Sequence, residues 1–128
     1  MAISVAPAWV QALREERPVK TIRMYTQGRL SKAALALREV VEAGESGVPR
    51  WETGMYSKYK HWDAWKKQTI HTRLANNGLI QAEMVGVRNG WRWVATDRGR
   101  LVLDIANKYP NYHERAAAFS LAGITGLK

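Results

Sequence analysis

The chain has 128 residues, of which 46% are hydrophobic, so it is long enough for one domain with a buried core and too apolar for a disordered chain. Lysine and arginine number 20 against 11 aspartate and glutamate residues, and the net charge of +9 favours a polyanionic partner such as nucleic acid. The absence of cysteine excludes disulfides and thiolate metal sites, and no apolar run approaches the roughly 20 residues that span a bilayer.

The first third of the chain predicts a helix, an extended segment and a second helix. Pro7 suits the first turn of a helix over about 7–17, which Pro18 ends. Residues 19–28 alternate apolar and polar side chains and indicate an extended segment ending at Gly28. Ser31 is a good N-cap for a helix over 32–43, with Gly44 placed to end it. In that helix one face carries Leu30, Ala34, Leu37 and Val41.

The middle of the chain predicts two helices in quick succession. Residues 44–54 contain three glycines and a proline and read as a connector. A short helix is expected over 55–62, and Asp63 is placed to cap a longer one over 64–77 that Gly78 ends. The inward side of this longer helix is predicted to carry Lys66, Ile70, Leu74 and Asn77.

The helical period then gives way to a period of two. Residues 80–87 and 91–96 flank Asn89-Gly90, a strong signal for a hairpin with a type I′ turn. Thr96 is placed to cap a following helix that Pro110 ends, and a last, alanine-rich helix is expected over about 111–122.

This order of elements resembles the winged-helix DNA-binding domains of bacterial transcription regulators. The short sequence motifs that carry the resemblance are Arg73-Leu74, Gly78-Leu79-Ile80 and the helix start from Thr96 to Arg100, in addition to the hairpin turn. It covers about residues 30–106, with the helices at about 7–17 and 111–122 as flanking or dimerisation elements. The resemblance implies a mainly α fold with a small β-hairpin wing, a winged helix-turn-helix, of bacterial or phage origin.

If Ile70 and Leu74 anchor the longer helix, the step of 100° per residue places Gln68 and Thr72 nearly opposite them. Gln pairs with adenine, and Thr contacts either hydrogen-bonding edges or the thymine methyl group. With the flanking positions included, the predicted base contacts are Gln68, Thr69, His71, Thr72 and Asn76.

Basic side chains around this helix suit the phosphate backbone. The predicted backbone contacts are Lys58, Lys60, Lys66, Lys67 and Arg73, and the predicted wing contacts are Arg88, Asn89 and Arg92. The plain alternative for each is a solvated polar face. The aromatic and basic run over 55–67 suits either stacking on single strands or a place in the core.

No pattern indicates an enzyme, a metal or a cofactor. His61, His71 and His113 have no metal-ligand spacing, and no nucleophile or phosphate-loop motif is present. We therefore expect a sequence-specific binder of double-stranded DNA, a cytoplasmic, nucleoid-associated regulator that acts by occupying an operator, with no membrane partner. The two flanking helices have two alternative roles: they form the interface of a homodimer, or they cap the domain's own core. The alternatives are a non-regulatory nucleic-acid factor in replication, recombination or phage packaging, and an adaptor that uses the fold to bind another protein.

Overall fold

A computed structural model of the protein describes residues 21–49, 64–84 and 90–128, and over 64–68 it describes the helical backbone alone. The helices and strands in this part, in chain order, are β1 Tyr25–Thr26, β2 Arg29–Leu30, α1 Lys32–Ala43, β3 Val48–Pro49, α2 Ala64–Asn76, β4 Ile80–Met84, β5 Trp91–Ala95, α3 Asp97–Lys108 and α4 Tyr112–Leu121. The described part is thus a mixed α/β structure of four helices and two small antiparallel sheets. The helices predicted at 7–17 and 55–62, and the cap at Asp63, lie outside the described residues.

The first sheet is a tight hairpin where the sequence predicts one extended segment. The predicted alternation is confirmed, because Ile22 and Met24 are buried. The chain then reverses at Gln27 and Gly28, whose φ angles of 53° and 78° are those of a type I′ turn, and β1 pairs with β2. The segment does not simply end at Gly28.

Helix α1 has the predicted boundaries and the predicted caps. The Ser31 hydroxyl oxygen accepts a hydrogen bond from the Ala34 amide at 3.1 Å, and Gly44 follows the last turn. The buried stripe runs through Ala34, Leu37 and Val40, so Val40 takes the place that the sequence gives to Val41. Val41 is half-buried and packs against the same core, so it lies at the edge of the buried stripe.

Strand β3 corrects the reading of 44–54 as a connector. A 3-10 turn at Gly44–Ser46 leads into Val48, which pairs with Trp93 of β5. The approach is close: a Cβ atom on Gly47 would lie 2.7 Å from the carbonyl oxygen of Trp93. Pro49 is tolerated because β3 is an edge strand, which does not need every amide for pairing.

The second sheet has the strand order β3-β5-β4, so the predicted hairpin of β4 and β5 is confirmed and a third strand is added. Its register pairs Ile80 with Ala95 and Met84 with Trp91. A regular ladder closed by two residues at Asn89-Gly90 would instead pair Met84 with Ala95. The observed register therefore differs from the predicted one, and the hairpin tip itself lies outside the described residues.

The C-terminal part closes the core. Thr96 caps α3 as predicted, by accepting a hydrogen bond from the Gly99 amide at 3.0 Å. Helix α4 buries Phe119 in the same core, so its inner side covers the domain rather than standing apart from it. The last residues also join the core: Leu127 is buried and forms a parallel bridge with Ile22.

The core of the described part lies between the second sheet and the helices. Its fully buried large side chains are Met24, Leu37, Val40, Leu74, Leu79, Ile80, Trp93, Val102 and Phe119. Within the described ranges, no helix is both long and apolar enough to cross a bilayer.

Candidate nucleic-acid interface

Helix α2 has one buried side and one open side, as an amphipathic helix requires. Leu74 is fully buried at the centre of the inner side. The outer side carries Thr69, Thr72 and Asn76, which are half-buried, and Arg73, which is exposed. Four of the predicted nucleic-acid contacts thus share one open strip of short polar groups and one cation.

His71 is a correction to the predicted site. The sequence places it on a flank of the open side, but its ring is only 2% exposed and lies 5.7 Å from the Trp93 ring, centroid to centroid. The Trp93 side chain of β5 reaches this flank of α2 and covers the imidazole. A ring in this position does not reach a base edge, so we leave His71 out of the site.

The end of α2 is held by a network of hydrogen bonds from the start of α3. The Arg98 guanidinium donates from Nε to the Asn77 carbonyl oxygen at 3.0 Å and from Nη2 to the Asn77 side-chain oxygen at 3.2 Å. It also donates to the Thr125 carbonyl oxygen at 3.0 Å. The Asn77 amide completes the network by donating to the Gly126 carbonyl oxygen at 3.3 Å. A cation at a helix C-terminus is also favoured by the helix dipole.

Two further contacts fix the distance between α2 and α3. The Thr96 hydroxyl donates to the Gly78 carbonyl oxygen at 2.6 Å. Gly99 lies directly against the backbone of Leu79, where an added Cβ atom would be 1.9 Å from the Leu79 carbonyl oxygen. We call this set, with Asn77 and Arg98, the α2–α3 joint. It sets the angle at which α2 presents its open side.

Arg92, a predicted wing contact, lies within the predicted strand β5, opposite Glu83 on one side and Pro49 on the other. Its Nη2 donates to the Gly47 carbonyl oxygen at 3.3 Å, and the residue is half-buried. This guanidinium therefore braces β3 against β5.

The remaining predicted contacts lie wholly or partly outside the described residues. Lys58, Lys60, Arg88 and Asn89 fall in the gaps. Lys66, Lys67 and Gln68 belong to the described backbone of α2, without their side chains. The first turn of α2 thus contains two lysines and no acidic residue. Within the described ranges, no group of three or more His, Asp or Glu residues could hold a metal ion.

Arg98 is a positioning residue that no pattern in the sequence indicated. It lies inside the Thr96–Arg100 motif, but nothing in the sequence shows that its side chain donates hydrogen bonds to Asn77. No family model matches the sequence, and neither the curated proteins nor the solved structures contain a significant match.

Proposed function

We propose that this protein binds double-stranded DNA as a winged helix-turn-helix, with α2 in the major groove, and regulates transcription by occupying an operator. The observation that carries the proposal is the open strip of α2: Thr69, Thr72, Arg73 and Asn76 face outward together. Short side chains let a helix approach the groove floor, and hydroxyl and amide groups are the chemistry that base edges recognise.

The arrangement around α2 supports this proposal. The α2–α3 joint holds the C-terminal end of the helix rigidly, and the β4–β5 hairpin follows directly in the chain. A recognition helix needs a fixed angle to the duplex, because an error of an ångström at the joint displaces every base contact along the helix. The order α2, hairpin, α3 is also the order that the resembled domains use.

The charge distribution of α2 supports a phosphate near its N-terminus. Lys66 and Lys67 fall in the first turn, where the helix dipole is positive and cations are unfavourable. A bound phosphate would relieve this repulsion, since helix N-termini bind anions through free amides and the dipole. The net charge of +9 provides the attraction over longer range.

On this proposal the protein acts in the cytoplasm, at the nucleoid, and performs no chemistry. It functions as a homodimer, because two-fold assemblies match palindromic sites. The outer side of α4 supplies a candidate contact, since Leu121 is 91% exposed while Phe119 on the inner side is buried. Leu121→Lys should convert a dimer to a monomer in sedimentation, and a species of unchanged mass would move the dimer contact elsewhere.

Selection of duplexes from a random pool, followed by titration, tests the function. We expect an enriched motif, and log K falling with log salt by about 0.9 per phosphate contacted. Binding without an enriched motif, or preference for single strands, would favour the non-regulatory nucleic-acid factor. A salt-insensitive complex with another protein and no DNA affinity would favour the adaptor.

Gln68→Ala tests whether α2 reads sequence. On the enriched motif this variant should lose roughly 1–3 kcal/mol of binding free energy, with a smaller loss on an unrelated duplex. Lys108→Ala is the matched control, because Lys108 is an exposed residue at the far end of α3. Equal losses on both duplexes for Gln68→Ala would mean that α2 is not the reader.

A further inference from the structure

A cavity of about 650 Å³ lies between the β1–β2 hairpin, the start of α1 and the side of α2. It is open to solvent on one side. Four cationic residues line it, and we call it the basic cavity: they are Arg23, Arg29, Lys32 and Arg73. Three of the four lie outside every motif that the sequence analysis used, and the tertiary fold brings them to the fourth across more than forty residues of chain.

Three of the four cations in the basic cavity, Arg23, Arg29 and Arg73, have no acidic partner within the described residues. None of its lining residues is acidic. Within the described ranges, the side chains of Arg23, Arg29 and Arg73 make no hydrogen bond or ion pair. Cations of one sign that line a concave surface focus a positive potential, which concentrates anions there. The cavity is therefore suited to an anion, and the guanidinium groups suit a carboxylate or phosphate in particular.

The walls of the basic cavity are mostly apolar between these cations. They are formed by Ile22, Leu30, Ala33 and Ile70. Sites for small organic ligands have this composition, with apolar walls and a few placed polar groups, and typical volumes of roughly 300–1,000 Å³. A bare inorganic ion would leave the apolar walls without a partner. A backbone phosphate of DNA would also leave them uncovered.

We propose that the basic cavity binds a small organic anion, a carboxylate or phosphate ester with an apolar body. The anionic group lies against Arg29 and Arg73, which approach from the hairpin and from α2, while the apolar body covers Leu30 and Ile70. The Thr26 hydroxyl donates a further hydrogen bond, whereas the Ser31 hydroxyl already donates to the Arg23 carbonyl oxygen at 2.6 Å.

Occupation of the basic cavity is coupled to α2 through Arg73. This consequence rests on the proposed function: Arg73 lines the cavity and also belongs to the open strip of α2. A ligand anion that pairs with Arg73 withdraws this cation from the DNA backbone. A bound organic anion therefore lowers the affinity for duplex DNA, and by linkage DNA lowers the affinity for the anion by the same factor.

Calorimetric titration of the full chain without DNA tests the cavity directly. The anionic probes are 2-naphthoate and phenyl phosphate, the neutral probe is 2-naphthalenemethanol, and inorganic phosphate is the anion without an apolar body. We expect at least one anionic probe to bind about tenfold more tightly than both the neutral probe and inorganic phosphate. Arg29→Gln should weaken that binding by about tenfold, the loss of one charge-assisted contact.

Lys108→Gln is the matched control, since it removes one exposed cation away from the cavity, and the thermal midpoint of each variant is compared with the parent. Leu30→Ser provides a second test, because it removes an apolar wall and should weaken naphthoate more than inorganic phosphate. Binding of neither anionic probe would overturn the proposal. So would an equal loss in Arg29→Gln and Lys108→Gln.

Titration of the same proteins with duplex DNA separates this proposal from the proposed function. If the anionic probes bind and no duplex does, the cavity stands and the proposed function fails. If neither probe binds but Arg29→Gln weakens duplex binding, the four cations belong to the DNA surface and the cavity proposal fails.

Discussion

Two groups of arginines in this molecule have opposite surroundings. Arg98 and Arg115 are tied to backbone carbonyl oxygens: Arg98 at the α2–α3 joint, and Arg115 through Nη1 to Tyr109 at 3.1 Å and Pro110 at 2.8 Å. Arg23 and Arg29, in the basic cavity, have no such bonds within the described ranges. The same residue type thus closes the fold in one region and stands open to a ligand in the other.

Arg115 shows how far the first role extends. It is 4% exposed, and its guanidinium lies over the Tyr25 ring at 4.6 Å from the centroid. The Tyr25 hydroxyl donates in turn to the Ala106 carbonyl oxygen at 2.7 Å. Carbonyl oxygens at Nη1 and the Tyr25 ring replace part of the water that this buried cation loses, while its Nε has no hydrogen-bond partner within the described residues. Arg115 therefore links α4 to β1 and α3.

The net charge of +9 therefore does not measure how many cationic side chains are available to a partner. Arg92, Arg98 and Arg115 hold strands and helices together, and their guanidinium groups are committed to carbonyl oxygens. Substitutions of these three arginines should therefore lower the free energy of unfolding. Substitutions of the open cations should change binding and leave stability almost intact.

The largest expected effect concerns the buried side of α2. Leu74→Ala should lower the free energy of unfolding by about 2–5 kcal/mol, because Leu74 is fully buried and the truncation leaves a cavity. Denaturant unfolding measures the loss. Thr72→Ala, on the open side of the same helix, should stay within about 0.5 kcal/mol of the parent. Equal effects of the two substitutions would mean that the faces of α2 are assigned incorrectly.

A smaller loss is expected at the α2–α3 joint. Arg98→Ala should lower the free energy of unfolding by about 2–3 kcal/mol, because it removes three hydrogen bonds and leaves the buried Asn77 side chain partly unsatisfied. Arg98→Lys keeps the positive charge but lacks the planar guanidinium that donates from two nitrogens at once, so it should recover only part of the lost stability. Arg29→Ala is the control, since Arg29 is exposed and its side chain makes no hydrogen bond or ion pair within the described residues. A full recovery with lysine would show that charge alone matters at the joint.

The smallest effect on stability is expected at Arg73. Arg73→Gln should change the free energy of unfolding by less than about 0.5 kcal/mol, since the residue is exposed. Its effect should appear in binding: weaker association with any duplex, and a salt slope reduced by about one unit. Fluorescence anisotropy at several salt concentrations measures both. An unchanged salt slope would mean that Arg73 does not contact a phosphate. The distinction between arginines that stabilise the fold and arginines that bind a partner would then fail.

The locally encoded elements were predicted from the sequence. The caps of α1 and α3 at Ser31 and Thr96 are correct because each hydrogen bond reaches only three residues along the chain. The β4–β5 hairpin is correct because period-two alternation is also a local signal. The open positions of Thr72 and Arg73 follow from the helical period once Leu74 is assigned to the core.

The errors share a cause, which is dependence on distant partners. A helix has two flanks, and periodicity does not say which one a sheet will cover; β5 covers the flank of His71. Distant partners also decide contacts of correctly placed residues: Arg92 donates to the carbonyl oxygen of Gly47, 45 positions away, and the buried Asn77 donates to that of Gly126, 49 positions away. Strand β3 forms only because β5 supplies its partner, since two residues with a proline have no strand pattern of their own.

The sequence by itself determined where α1 and α3 begin, that α2 buries Leu74 and how strongly positive the chain is, because capping, periodicity and charge are properties of neighbouring residues. The tertiary structure alone decided which arginines donate hydrogen bonds to carbonyl oxygens and which remain accessible to a ligand. Arg23 and Arg29 are brought beside Arg73 only when the first hairpin packs against α2. The electrostatic potential of such a cluster depends on distances in space, and those distances do not exist until the chain has folded.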